Sequence, residues 1–378
     1  MSEYQYYEFR AIDRALTDRQ MHELRAISTR ADISRTSFSN HYTFGDLKAS
    51  ARDLLVKYFD ASLYFANWLF LEVAFRYPKG AVDLRRLRRY AAGHTVEVRS
   101  SGPDVVVAIS VESDGESFDT ADDATGWLAS LMTLRAEIAS GDDRALYLGW
   151  LFDVQCGEIE DDVVEPARPE GLGHLNPALD SFIDIVGIDR DLVTVAAEGL
   201  PPPAPSFAAG DIHAWLAGLR TSEHLTLLAR VARGDAMVGA ELTRRFRQHT
   251  QGHAAPVSLR TAGELRARAE AIAERRRKAA LEREARDRAA RDRDAKILRD
   301  RYLTHLAKQE RDAWRRVDAH IGTRRPADYA AAVALLVDLR DVSERQGRGA
   351  LFAKRIGTLR QAHATKPSLL ARLRKAGL

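Results

Sequence analysis

The chain has a single cysteine, Cys156, among its 378 residues, and it has no long uncharged hydrophobic run. One cysteine excludes a disulfide scaffold, a cysteine-based zinc finger and CxxC redox chemistry, and it fits a reducing cytosol. The most apolar stretch, 63–75, contains Asn67 and Glu72 and is shorter than the ~20 residues that a membrane-spanning helix needs. The first seven residues lack the basic and apolar regions of a secretory signal. We therefore expect a soluble cytoplasmic protein that does not bind membranes.

Catalytic and cofactor motifs are also lacking. The sequence contains no GxSxG, GxxxxGK[ST] or HExxH motif and no GxGxxG after a strand, and its eleven histidines show no metal-ligand spacing. The sequence therefore predicts no metal and no cofactor. An enzyme stays open as a minor hypothesis, in which His41 acts as a base with Asp46, Asn67 and Trp68 nearby.

Charge is abundant but unevenly distributed. Residues 1–200 hold 20 Lys and Arg against 34 Asp and Glu, a net charge of −14, whereas residues 201–378 hold 37 against 20, a net charge of +17. The small total of +3 therefore hides an acidic half joined to a basic half. We expect two interaction surfaces of opposite sign, with the acidic half docking on the basic one or competing with an acidic partner for it.

The periodicity of the first 156 residues predicts an acidic α+β domain. Residues 4–12 are rich in aromatics and favour a strand, and residues 95–98 and 105–111 favour a hairpin around the turn at 100–103. Apolar residues at helical spacing over 127–138 and 146–154 predict two helices. We expect antiparallel strands with helices on one side of them.

The remaining chain is predicted to be helical. Residues 157–200 indicate an acidic loop with short helices, and the polyproline segment at 201–205 marks a domain boundary. A small helical segment is expected over 206–255. Residues 261–378 are predicted to form a long basic helix of about 60 residues, over 261–322, followed by a terminal three-helix bundle.

Two basic clusters are candidate binding sites. The first lies on the long helix and comprises Arg275, Arg276, Arg277, Lys278, Arg283 and Arg286. It could bind a nucleic acid or a partner in a coiled coil, or it could be a solvated helix held by i,i+4 charge pairs. Interspersed acidic residues and few aromatics weigh against nucleic acid.

The second cluster follows Lys79 on a short predicted helix over 82–91. It comprises Arg85, Arg86, Arg88 and Arg89, which we expect to point outward because Leu84, Leu87 and Tyr90 form the inward face. Four neighbouring guanidinium groups require an anion, which could be a phosphate, an acidic partner or the carboxylates of the domain itself.

Two segments carry a resemblance to bacterial families. The segment 3–14, with 58–61 and Asn67-Trp68, resembles a family of hypothetical bacterial proteins. The tail, in segments 328–329, 336–341 and 367–370, is similar to the C-terminal helices of some bacterial SWIM zinc-finger proteins. With one cysteine the chain cannot hold the SWIM zinc site, so the resemblance implies a shared docking module and brings no catalytic residue.

These observations predict a non-enzymatic scaffold or adaptor. We expect it to bind a protein partner, or a second copy of itself, through the long helix and the terminal bundle. The alternative is a nucleic-acid-associated protein that uses the arginine-rich C-terminal half.

Overall fold

A computed structural model of the chain describes residues 4–68, 70–112, 124–201, 209–250 and 260–378. Two compact units divide the chain, Met1–Arg275 and Arg276–Leu378. An antiparallel sheet with helices is followed by an all-helical C-terminal half that contains a long helix, which confirms the predicted fold class. Most of the predicted polyproline boundary falls on residues 202–205, which lie outside the described residues.

One seven-stranded antiparallel sheet organises the first unit. Its strands are β1 Gln5–Arg10, β2 Asp32–Ile33, β3 Ser37–Tyr42, β4 Ala61–Ala66, β5 Phe70–Pro78, β6 Val96–Ser101 and β7 Asp104–Glu112. They lie in the order β2-β3-β1-β4-β5-β7-β6, so that β1 and β4 are central. The predicted N-terminal strand is confirmed as β1, and the predicted hairpin is confirmed as β6 and β7.

Within the part of the chain that the structure describes, ten helices of the first unit precede the long helix. They are α1 Asp18–Ile27, α2 Ala51–Tyr58, α3 Leu84–Leu87, α4 Trp127–Ala139, α5 Arg144–Cys156, α6 Pro177–Val186, α7 Arg190–Ala197, α8 Ala209–Ala217, α9 Thr221–Ala232 and α10 Val238–Thr250. A short 3₁₀ turn, Arg88–Tyr90, extends α3.

Helices cover both faces of the sheet, and the expectation that they lie on one side is wrong. Helices α1 and α2 pack on the face that carries Tyr7 and Phe9. Helices α4 and α5 belong to the core of the opposite face, which carries Tyr6 and Leu63. Neighbouring residues of a strand point to opposite faces, and the consecutive aromatics of β1 therefore make both faces apolar.

Helix α5 lies at the centre of the first unit. Every residue from Arg144 to Val154 is buried, including Tyr147 and Trp150. The sequence predicted a helix with one apolar stripe, whereas this helix is covered on all sides. Its polar residues are held by specific partners: Asp153, for example, accepts hydrogen bonds from the backbone N–H and the hydroxyl of Thr95.

A buried ionic network ties the sheet to α4. Arg76 on β5 pairs with Asp60 and, at 2.9 Å, with Asp104, while Arg135 on α4 donates two hydrogen bonds to Asp13 at 2.7 and 2.8 Å. The backbone N–H of Asp13 donates to Asp60 in turn. Because these charges are paired within the network, we assign it a structural role.

The second unit consists of the larger part of the long helix and four further helices. They are α11 Ala262–Lys308, α12 Glu310–Gly322, α13 Pro326–Arg345, α14 Gly349–Ala362 and α15 Pro367–Lys375. Helix α11 has 47 residues, and Gln309 interrupts the helix predicted over 261–322. The break makes 310–322 a separate helix, and the terminal bundle, predicted with three helices, has four helices after α11.

Helix α13 is the centre of this bundle. Its residues Leu336 and Leu339 are buried with Trp314 of α12, Ile356 of α14 and Leu369 of α15. Arg299 of α11 pairs with Asp338 and Asp341, which fixes the end of α11 to α13. Within the described residues, no helix has the length and apolarity to cross a membrane, and no cluster of three or more histidine, cysteine or carboxylate side chains has metal-binding geometry.

Candidate interaction surfaces

Three of the four arginines around α3 are exposed. Asp83 caps this helix by accepting hydrogen bonds from the backbone N–H groups of Arg85 and Arg86. The side chains of Arg85, Arg88 and Arg89 face solvent, and none of them forms an ion pair with a carboxylate of the described residues. These three arginines therefore remain an anion-binding candidate of the first unit.

Arg86 points inward, and the expectation that all four arginines fan outward is wrong for this residue. Its guanidinium donates to the carbonyl of Ile138 at 2.7 Å and lies 3.3 Å from Asp143. Residues four apart lie on the same side of a helix, so Arg86 shares the side of the buried Tyr90. Its length lets the charged end reach α4, which the pattern of apolar residues alone did not indicate.

The C-terminal end of α4 gathers three arginines from other parts of the first unit. This helix has no basic residue in its own last turn, and its final carbonyls need donors. Arg86 donates a hydrogen bond to the carbonyl of Ile138. Arg244 donates to the carbonyl of Ala139 at 3.3 Å, and Arg247 donates to that of Ser140 at 3.1 Å. The contacts of Arg244 and Arg247 attach α10 to α4, and that of Arg86 attaches α3 to α4, so we assign Arg86 a structural role.

The basic cluster of α11 is fully exposed. Arg275, Arg276, Arg277, Lys278, Arg283 and Arg286 all lie in the exposed stretch 274–289. The Nε atoms of Arg275 and Arg286 donate to carbonyls of their own helix at 3.1 and 3.2 Å. No ion pair joins two residues within 277–296, so the predicted i,i+4 charge pairs are not formed there.

A second basic surface lies on α14 and α15, and the sequence analysis did not single it out. After Glu344 the chain has nine lysines and arginines and no acidic side chain. Arg345 and Arg348 pair with Asp300 and Glu310. The remaining basic residues form no ion pair within the described residues. Lys366 donates to the carbonyl of Ile321, and the other six are available for binding. We call them the terminal basic surface: Lys354, Arg355, Arg360, Arg372, Arg374 and Lys375.

A count of acidic residues along the chain would have revealed this surface. The cluster on α11 attracted attention because its arginines are consecutive, but five acidic residues lie between 282 and 294. The terminal basic surface has a lower density of arginine and no acidic residue at all, and net charge governs the electrostatic attraction of a polyanion.

His41 of the enzyme hypothesis lies apart from Asp46. His41 on β3 is paired in register with Tyr6, its ring lies 4.6 Å from that of Tyr6, and its Nδ1 lies 2.7 Å from the hydroxyl of Tyr4. Asp46 accepts a hydrogen bond from the hydroxyl of Tyr7 at 2.7 Å. Because Tyr6 and Tyr7 are neighbours in β1, these contacts are on opposite faces of the sheet.

Asn67 and Trp68 add no catalytic geometry. Asn67 accepts a hydrogen bond from the backbone N–H of Tyr4 at 2.9 Å and thereby holds the start of β1. Trp68 is exposed in the turn between β4 and β5. An open cleft of about 420 Å³ lies beside α6 and α7, where Arg190 is paired with Asp180 and Asp184. The described residues therefore bring no base and carboxylate together at the predicted position.

Comparisons of the chain with protein-family models, with curated proteins and with solved structures find no match.

Proposed function

We propose that the protein is a non-enzymatic adaptor that binds an anionic macromolecule through its second unit. One observation carries the proposal: the basic residues of the terminal basic surface form no ion pair within the described residues, and no acidic side chain follows Glu344 in the sequence. The unit has 27 basic and 13 acidic residues, a net charge of +14. A surface of this sign attracts negatively charged partners and accelerates their association.

Symmetric self-association through the second unit is disfavoured by the same charge. An isologous dimer places the same patch of both copies in contact, and here it would bring two units of net charge +14 together. The first unit has a net charge of −11, so a second copy could bind only head to tail. A different anionic partner is the simpler interpretation.

The geometry gives less support to an enzyme. His41 and Asp46 contact opposite faces of the sheet, and the buried charges of Arg76, Asp60 and Arg135 belong to ion pairs that join elements of the first unit. Surface charge, by contrast, is unneutralised over many residues of the second unit. Among the described residues, the unpaired basic side chains of the second unit are therefore typical of a binding surface.

Nucleic acid is the second candidate partner, beside an acidic protein. Guanidinium groups bind phosphates and carboxylates alike through two parallel hydrogen bonds. The observation that favours nucleic acid is the length of chain, from 345 to 378, in which no acidic side chain would repel a phosphate.

Capture of partners from the native host tests the proposed function. The full chain is compared with a variant that reverses three exposed charges of the second unit, Arg283→Glu, Arg286→Glu and Lys354→Glu. The matched control reverses three in the first unit: Arg85→Glu, Arg88→Glu and Arg89→Glu. Retention of each captured partner and the solution mass by light scattering are measured at 50 and 500 mM salt.

The two variants should differ. We expect a partner, protein or nucleic acid, that is lost with the second-unit variant and retained by the control. Loss of the partner in the control variant alone would show that the binding site consists of the arginines around α3. A mass that doubles at low salt, with no other partner captured, would replace the proposal with head-to-tail self-association.

A further inference from the structure

The terminal basic surface lies on two consecutive helices that share one support. Helices α14 and α15 are joined by residues 363–366, and both are packed in the core of the second unit through Phe352, Ile356, Leu369 and Leu373. The buried apolar residues of both helices face inward, whereas Leu351 is exposed, and the six basic side chains lie on the remaining sides of the helices. Helices fixed in this way present the charges in a defined arrangement.

We propose that the terminal basic surface binds the sugar-phosphate backbone of a nucleic acid, which deepens the proposed function and rests on it. This surface has basic side chains and few exposed apolar or aromatic ones, and both properties favour such a partner.

The surface offers charge and hydrogen bonds without an apolar centre. Among residues 349–378, the only large apolar side chain that is strongly exposed is Leu351. Protein interfaces draw their binding energy from a central cluster of apolar and aromatic side chains. A phosphate backbone needs no such cluster, because ion pairs and released counterions supply the affinity. The composition of the surface therefore favours a polyphosphate over an acidic protein.

The guanidinium of one arginine of the surface is oriented by an aromatic ring. The guanidinium of Arg355 lies 3.8 Å from the ring centre of Trp314, which is buried with Phe352 beside it. Stacking on an aromatic face orients the plane of the guanidinium and leaves its N–H edge free for an anion. An orientation fixed in advance reduces the entropy that is lost when a phosphate binds.

The surface can contact the backbone but has little with which to read bases. Aromatic residues that stack on bases are absent from its exposed part, because Phe352 and Trp314 are both buried. We therefore expect binding that is independent of sequence and strongly dependent on salt.

Fluorescence anisotropy with the full chain tests the proposal. The probes are a labelled 20-base-pair DNA duplex of mixed sequence, a 20-nucleotide single-stranded RNA and poly-glutamate of similar charge. The test variant is Lys354→Gln with Arg372→Gln and Lys375→Gln, three exposed residues that form no ion pair within the described residues. The matched control, Arg283→Gln with Arg286→Gln and Arg288→Gln, removes the same charge from α11. Circular dichroism confirms that each variant is folded.

For the unmodified chain we expect affinity for duplex or RNA to fall about 100-fold between 50 and 200 mM salt, as four phosphate contacts require. The test variant should bind at least about tenfold more weakly at 50 mM and show a shallower salt dependence. The control should lose much less affinity.

Three results would overturn the proposal. Equal loss in both triple variants would show that net charge or α11, and not this surface, governs binding. Tighter binding of poly-glutamate than of either nucleic acid would identify an acidic protein as the partner. An absence of nucleic-acid binding at 50 mM would reject the inference but leave the adaptor function to the capture experiment. The duplex and RNA probes together show which backbone is preferred.

Discussion

Asp143 is a buried residue whose charge is disfavoured by its surroundings. It precedes α5 in the first unit, and its Oδ1 is buried without a hydrogen bond. Burial raises the pKa of the Asp143 carboxyl from 3.8 to about 6, although Arg86 at 3.3 Å acts in the opposite direction. The folded state therefore keeps the proton to a higher pH than the unfolded state, and the free energy of unfolding falls as the pH rises from about 4 to about 6.

Replacement of Asp143 by Asn should remove this loss of stability. A shift of the carboxyl pKa from 3.8 to about 6 corresponds to about 2–3 kcal/mol. We expect Asp143→Asn to gain that amount in free energy of unfolding, relative to the unmodified chain, between pH 4 and pH 7. Urea unfolding at both pH values measures it. The exposed Asp162→Asn is the control, and an equal gain in both variants would contradict the assignment.

Arg86 shows why some residue-level predictions fail. Leu84, Leu87 and Tyr90 could be identified as the inward face from their spacing, and the structure buries Leu87 and Tyr90. The position of the Arg86 side chain depends on its hydrogen bond to the end of α4, which lies more than 50 residues later in the chain. Short-range periodicity contains no information on such a partner, because it is the carbonyls at the end of another helix that need a hydrogen-bond donor.

At the scale of elements, regular local patterns were predictable and tertiary interruptions were not. The strands β6 and β7 could be located from alternation and a turn, and α4 from its apolar spacing. The break at Gln309 could not, because glutamine favours helices and the apolar stripe continues past it. Packing of α12 against α13 is a property of the folded bundle, and tertiary contacts override local propensity.

The first turn of α11 is fixed to the first unit by a buried ion pair. Arg260, two residues before the helix, donates to both oxygens of Glu165 at 2.9 and 3.0 Å and to the carbonyl of Val195 at 2.6 Å. The hydroxyl of Tyr147 also donates to Glu165. Removal of one partner of a buried pair leaves an unneutralised charge, which is more costly than loss of the attraction alone.

Arg260→Met should therefore lower the free energy of unfolding by about 3–5 kcal/mol. The double variant Arg260→Met with Glu165→Gln should be less destabilised, because the neutral amide would leave no buried charge and would still accept from Tyr147. Arg268→Met is the matched control, since its pair with Glu198 is exposed and contributes less than about 1 kcal/mol. A double variant as unstable as Arg260→Met would show that the ion pair itself is not the cause.

For the whole molecule, the division of charge persists but is smaller when the structure sets the boundary. The sequence halves have net charges of −14 and +17, and the compact units have −11 and +14. Charge could be predicted from composition, but the boundary could not, because α11 continues through Arg275 without a break. Helices α6 and α7, predicted as part of a separate acidic segment, belong to the core of the first unit.

Each unit has a hydrophobic core of its own, and we therefore expect two thermal transitions. The cores of the first unit end at Ala269, with Ile272 packed against them, and that of the second begins at Leu303. Truncation of a fully buried leucine destabilises its own core by about 2–5 kcal/mol. Leu336→Ala should lower the melting temperature of one calorimetric transition, and Leu63→Ala that of the other. A single transition that both variants shift equally would show that α11 couples the two cores into one cooperative unit.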